Sequence, residues 1–108
     1  MLKGILYDIV SRSDDSVTVR IDRGCGIYQA HFPGYPITPG VTFVQMAVEL
    51  LGLMRGRDMD ILSAKNIKFL SPVIPEEDTT LTFFFGGDGE IKVYHRDVVC
   101  ASMKVTAG

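Results

Sequence analysis

The chain is short of the features that mark several large function classes. Its 11 lysines and arginines are balanced by 13 aspartates and glutamates, for a net charge of −2 over 108 residues. No strongly basic face follows from that balance, so there is no electrostatic case for nucleic acid. Cysteine and histidine are scarce, with Cys25 and Cys100, His31 and His95, and they show no metal-ligand spacing. No resident metal is expected. A disulfide scaffold does not suit a chain that is 46% hydrophobic. Free, inert thiols in a reducing compartment fit it better. No glycine-rich phosphate loop is present, and no cofactor is expected. The opening MLKGILYDIV breaks its apolar run at Lys3 and Asp8. That run is too short for a signal-peptide core or a membrane span, so a cytoplasmic protein is expected. Without repeats, low-complexity tracts or linkers, residues 1–108 read as one domain with a single core.

What is present is concentrated in one segment. The run HFPGYPITPG, His31 to Gly40, packs three prolines, two glycines and a histidine into ten residues. Proline fixes φ and glycine opens φ values that other residues avoid, so this is a shaped loop. Pro39 suits the first turn of a helix, where a missing N–H has no intrahelical partner to lose. The N–H groups of Gly40 and Val41 then fall among the free donors at the helix start. A histidine in a rigid loop beside such donors suits chemistry on a carbonyl compound.

From Gly40 to about Arg55, Val41, Val44, Val48, Leu51 and Met54 recur at three- and four-residue steps, broadened by Phe43, Ala47 and Leu50. A helix apolar nearly all round is expected to be buried. Its polar exceptions, Gln45 and Glu49, lie four apart on one face and need partners. Those partners are either structural hydrogen bonds or the lining of a site.

Strands are expected at Gly4–Val10 and Ser16–Asp22, flanking the polar turn SRSDD, with Val17, Val19 and Ile21 on one face. After the helix, Ile61–Phe69 reads as a strand and Pro75–Thr79 as a turn. Leu81–Phe85, Glu90–His95 and Val98–Thr106 come next as strands joined by GGDG and a tight turn near Arg96–Asp97. Neighbours on a strand alternate, so Phe83, Phe84 and Phe85 cannot all face one core. The order of elements gives an α+β domain with the helix on one sheet face.

The HFPGYPITPGVTFVQMAVEL segment resembles the active-site signature of the β-hydroxyacyl-acyl-carrier-protein dehydratases, HFPGxPxMPGVLxxEAxAQ. The matches include His31, Phe32, Pro33, Gly34, Pro36, Pro39, Gly40 and Val41. NIKFLSPVIPEEDTTL, from Asn66 to Leu81, resembles a second family block, AKFxxPVxPGDxL. The resemblance implies a hot-dog fold, a curved antiparallel sheet wrapped around one central helix. It also implies action on (3R)-hydroxyacyl thioesters carried on acyl carrier protein, in fatty-acid or polyketide-type synthesis, polyenes included. His31 takes the place of the base and Gly40 that of the backbone donor to the carbonyl oxygen. Phe32, Pro33, Gly34, Pro39 and Val41 are placed as substrate-binding positions. The acid comes from the helix of a second subunit, so at least a homodimer is expected.

One departure stands out. Gln45 occupies the position of the family's acidic residue, and Glu49 that of its glutamine one turn later. An amide hydrogen-bonds but cannot supply a proton. Glu49, about 6 Å along the helix, is the candidate substitute. A second reading is a non-catalytic acyl-binding or partner subunit whose companion supplies the acid. A third is a hot-dog thioesterase. Arg55, Arg57, Lys65 and Lys68 read either as solvated surface or as contacts for an acidic carrier protein. His95, at a strand end, reads as a surface residue.

Overall fold

A computed structural model describes residues 4, 7–22, 40–71, 73 and 79–108, apart from the side chains of 41, 42 and 61. Strands β1 (Tyr7–Arg12) and β2 (Ser16–Ile21) precede helix α1 (Gly40–Arg55). Strands β3 (Ile61–Phe69), β4 (Thr80–Phe85), β5 (Glu90–His95) and β6 (Val98–Ala107) come after it. They form one six-stranded sheet in the order β1-β2-β4-β5-β6-β3. Every neighbouring pair is antiparallel.

Cross-strand partners explain the core. Val17 pairs with Phe83, Phe83 with Val93, and Val93 with Ala101, so one row of inward side chains runs across four strands. All four are buried, together with Val19, Ile21, Leu81, Ile91, Met103 and Val105. Against this face α1 lays Phe43, Met46, Ala47 and Leu50, an i, i+3, i+4, i+7 stripe whose members are at most 3% exposed. Each large side chain buried this way contributes roughly 1.5–3 kcal/mol. The outer face is mixed. Thr18 and Thr82 share a hydrogen bond of 3.0 Å there, and Phe84 meets Tyr94 edge to face with centroids 5.3 Å apart.

Three local expectations need correction. The first strand does not stop at Val10. A register shift between Ile9 and Ser11 lets Ser11 and Arg12 stay paired with Thr18 and Val17, which shortens the expected SRSDD turn. Gly4 sits outside that strand, in a turn at φ 81°, with its N–H donating to the Tyr7 carbonyl. Second, α1 is not buried all round. Gln45 is exposed and Val44, Leu51, Leu53 and Met54 are half-buried, because the sheet covers one side of the helix. Third, His95 is half-buried at the end of β5 and not simply a surface residue. The Phe83–Phe85 run alternates as required, with Phe83 buried, Phe84 42% exposed and Phe85 against the core. The expected turn at Pro75–Thr79 lies outside the described residues except for Thr79, which is buried and accepts from the Ile21 N–H.

The end of α1 fixes the path of the chain toward β3. Arg57 N–H donates to the Gly52 carbonyl and Gly56 N–H to that of Leu53, the two bonds of a Schellman cap, with Gly56 at φ 71°. The chain turns back so closely that a Cβ on Gly52 would lie 2.7 Å from the Arg57 carbonyl oxygen. A glycine inside a helix costs about 1 kcal/mol relative to alanine. Here that cost permits the reversal.

Candidate active site

Among the described residues Glu49 is a buried carboxylate, 9% exposed on the helix that packs against the sheet. Burying a carboxylate is costly unless both oxygens find donors. Both do. The Tyr7 hydroxyl donates to Oε1 at 3.0 Å, and Gln45 Nε2 donates to Oε2 at 2.9 Å. The second bond follows from helix geometry, since residues four apart share a face. The first is tertiary, made across 42 residues of sequence.

Tyr7 opens β1 opposite Ile21 and is 1% exposed. Burial, then the negative charge of Glu49 and the hydrogen bond to it, push its phenol far above the usual range. Tyr7 therefore keeps its proton and acts as a permanent donor. Sequence reasoning missed this residue. A tyrosine in an apolar opening strand gives no spacing signal that links it to a glutamate 42 residues later.

Gln45 and Glu49 stand on one wall of a cleft of about 780 Å³. Val48, Gly52 and Leu53 continue that wall, and the segment from Gly56 to Asp60 forms the other side. The close approach at Gly52 sets where that segment runs. An exposed amide in front of a buried carboxylate can hydrogen-bond a polar group on a ligand, and Val48, Leu53 and Met59 offer apolar surface beside it.

The other expected site residues divide by position. Gly40 is the first residue of α1, and Val41 follows with its side chain outside the described set. His31, Phe32, Pro33, Gly34 and Pro39 lie outside the described residues, as does Cys25. Cys100 is buried, donates to the Val93 carbonyl at 3.4 Å, and has its thiol pushed up to about 11, chiefly by burial. A thiol held protonated is a poor nucleophile. Arg55, Arg57, Lys65 and Lys68 are all exposed, and Arg57 borders the cleft. Among the described residues no group of three histidine, cysteine or acidic side chains can hold a metal ion. No helix among them is long and apolar enough to cross a membrane.

Comparison with known proteins gives this arrangement its context. The 3-hydroxyacyl-[acyl-carrier-protein] dehydratase FabZ of Geobacter metallireducens is 35% identical over 57 residues, covering 44% of this chain and 38% of its own. The protein of the same name from Ruegeria is 49% identical over 35 residues, covering 32% and 22%. The chain thus spans less than two-fifths of the length of these curated relatives. Among solved structures, the dehydratase heterocomplex ApeI:P from Xenorhabdus doucetiae superposes with a TM-score of 0.67 at 16% identity, covering 92% of each chain. A thioesterase from Haemophilus influenzae superposes with a TM-score of 0.65 at 16% identity, covering 96% of this chain and 78% of its own. At such identities these likenesses speak for the hot-dog fold alone. The sequence itself matches the ApeI-like family, described as ApeI dehydratase, over residues 10–104. With a six-stranded antiparallel sheet and, among the described residues, one helix, the chain is a hot-dog protein and belongs to the ApeI-like dehydratase family.

Proposed function

We propose that this chain is a dehydratase-type subunit for (3R)-hydroxyacyl thioesters carried on the phosphopantetheine arm of an acyl carrier protein. In this reading His31 is the base for the proton beside the thioester carbonyl, a task that an imidazole side chain suits at neutral pH. The Gly40 N–H, at the start of α1, holds the carbonyl oxygen. Phe32, Pro33, Gly34, Pro39 and Val41 shape the acyl site, and Arg57, beside the cleft, meets the acidic carrier. The family match carries the reading, and the cleft in front of Gln45 and Glu49 supports it.

The hydrogen bonds at Glu49 support a second form of this proposal. Each of its carboxylate oxygens already receives a donor, and the residue in the acid position is an amide. A subunit built this way supplies the base and the binding surface, while a companion hot-dog chain supplies the proton for the departing hydroxyl. The likeness to one chain of a dehydratase heterocomplex is in keeping with that division. A homodimer is the simpler assembly. It draws support from Leu62, Ile67, Phe69 and Leu70, which are 40–69% exposed along and just beyond β3. The fold is shared with thioesterases, and release of free thiol from an acyl thioester identifies that activity instead.

Turnover of a (3R)-hydroxyacyl thioester by the native protein, His31→Ala and Gln45→Glu tests the proposal. General acid catalysis is typically worth ~10²–10⁴ in rate. Gln45→Glu is therefore expected to raise a weak native turnover at least tenfold, and His31→Ala to abolish it. Native activity that survives His31→Ala refutes the mechanism. No gain in a folded Gln45→Glu protein, with activity appearing only on adding a second hot-dog chain, establishes the partner-subunit form.

A further inference from the structure

We propose that Tyr7 is a positioning residue that, through Glu49, locks the Gln45 amide in the one orientation that recognises the 3-hydroxyl of a hydroxyacyl thioester. The inference rests on reading the cleft as a hydroxyacyl site, and it assigns the discriminating contact within that site.

The chain of constraint begins in the core. Tyr7 is held by its pairing with Ile21 and by almost complete burial, so its ring has nowhere to swing. Its hydroxyl donates to Glu49 Oε1 at 3.0 Å and so helps to hold that carboxylate in place. The other oxygen, Oε2, then faces back one helical turn to Gln45 at 2.9 Å. A carboxylate accepts and does not donate. Only the NH₂ end of the amide can face it, which leaves the Gln45 carbonyl and its second N–H available to a ligand in the cleft that Gln45 lines.

An exposed glutamine normally samples many rotamers, and ordering it costs conformational entropy. Here that ordering precedes ligand binding. The fixed amide presents one acceptor and one donor to the cleft, the complement of a hydroxyl, which both donates and accepts. A saturated acyl chain of the same length offers neither. The exchanged residue types at positions 45 and 49 thus form a unit: Glu49 orients and Gln45 recognises. Tyr7 completes it from another element.

The test compares native protein with Tyr7→Phe, which keeps the ring and removes the donor, and with Glu49→Gln. Side-chain amide NMR reads the orientation directly, and calorimetry with 3-hydroxyoctanoyl-pantetheine and octanoyl-pantetheine reads recognition. Native protein is expected to show two well-separated, slowly exchanging Gln45 amide protons and to prefer the hydroxylated probe about tenfold, the worth of one good hydrogen bond. Tyr7→Phe should move the Gln45 signals toward those of a free glutamine. It should also reduce the preference at least threefold, with affinity for octanoyl-pantetheine unchanged. A Tyr7→Phe protein that keeps both the native amide signals and the preference overturns the proposal. So does a native Gln45 that already gives free-glutamine signals, whatever the variants do. If Tyr7→Phe does not fold, Glu49→Gln carries the same two readouts. Failure of native protein to bind either probe removes the hydroxyacyl reading itself, while the amide signals still decide whether Tyr7 positions Gln45.

Discussion

Strands β4 and β3 carry similar loads of large apolar side chains and treat them differently. In β4, Leu81 and Phe83 are fully buried and Phe85 packs against the core, leaving Phe84 on the outer face. In β3, Leu62, Ile67 and Phe69 are 69%, 40% and 54% exposed. The difference lies in the neighbours. β4 has β2 on one side and β5 on the other, in unbroken register. Among the described residues β3 pairs with β6 alone, and its register shifts twice, between Ile61 and Ser63 and between Lys65 and Lys68. Asn66 lies inside the second shift at φ 53°. An apolar strand with one open edge is a template for another chain, and proteins usually blunt such edges with charge or bulges. β3 has both devices, in Lys65, Lys68 and its shifts, but keeps its apolar side chains. The homodimer proposed above would cover these side chains.

Removal of one ring from each strand breaks the comparison most sharply. Phe83→Ala is expected to cost ~3–5 kcal/mol, as for other fully buried phenylalanines, and Phe69→Ala no more than ~1 kcal/mol in a dilute monomer. Urea unfolding of both variants decides it, and equal costs would show that β3 is as deeply packed as β4. The next effect is alkaline. Cys100 lies on β6, the strand that links β3 to the rest of the sheet. Its folded-state pKa of about 11 lies above the ordinary thiol value of 9.0. The native state therefore holds the proton more tightly than the unfolded chain does. Its contribution is complete below pH 9 and lost as pH rises toward 11, by roughly 2 kcal/mol. Stability measured from about pH 8 to about pH 11 should fall, and Cys100→Ala should flatten that fall. A native protein equally stable at both ends would contradict the assignment.

Smaller effects sharpen the picture of β3. Leu62→Lys with Ile67→Lys should change stability by no more than ~0.5 kcal/mol in the isolated chain, because both sites are exposed. The same pair should convert a species of twice the 11.9-kDa chain mass into one of that mass by light scattering. Unchanged mass would leave β3 out of the interface. Asn66→Gly is expected to be neutral or to stabilise by a few tenths of a kcal/mol, since asparagine tolerates the left-handed region at modest cost. A loss above ~1 kcal/mol by thermal unfolding would point to an Asn66 side-chain role beyond the backbone.

Much of the fold was legible because its signals are local. The helix bounds Gly40–Arg55 reflect three- and four-residue apolar spacing, and those of Ile61–Phe69 and Glu90–His95 reflect short apolar runs between turn residues. The Arg96–Asp97 turn was legible too, with φ of 51° and 64° at the two corner residues. The end of β1 was not. A polar SRSDD run reads as a turn, and only pairing of Ser11 and Arg12 across the register shift draws them into the sheet. At the site, the four-residue spacing of Gln45 and Glu49 foretold that they meet. It did not foretell that one would be exposed and the other buried, because that depends on where the sheet ends over the helix.

The sequence by itself determined most of the elements, the inward face of β2, the division of Phe83–Phe85 between two faces, and the exchange of amide and carboxylate on α1. These rest on interactions within a few residues, where chain geometry leaves few alternatives. Tertiary structure alone decided the order of the strands, the pairing of β3 with β6 and the hydrogen bond of Tyr7 to Glu49. A hydrogen bond between residues 42 apart exists only after β1 and α1 have packed against the same core, and nothing in local spacing encodes that meeting.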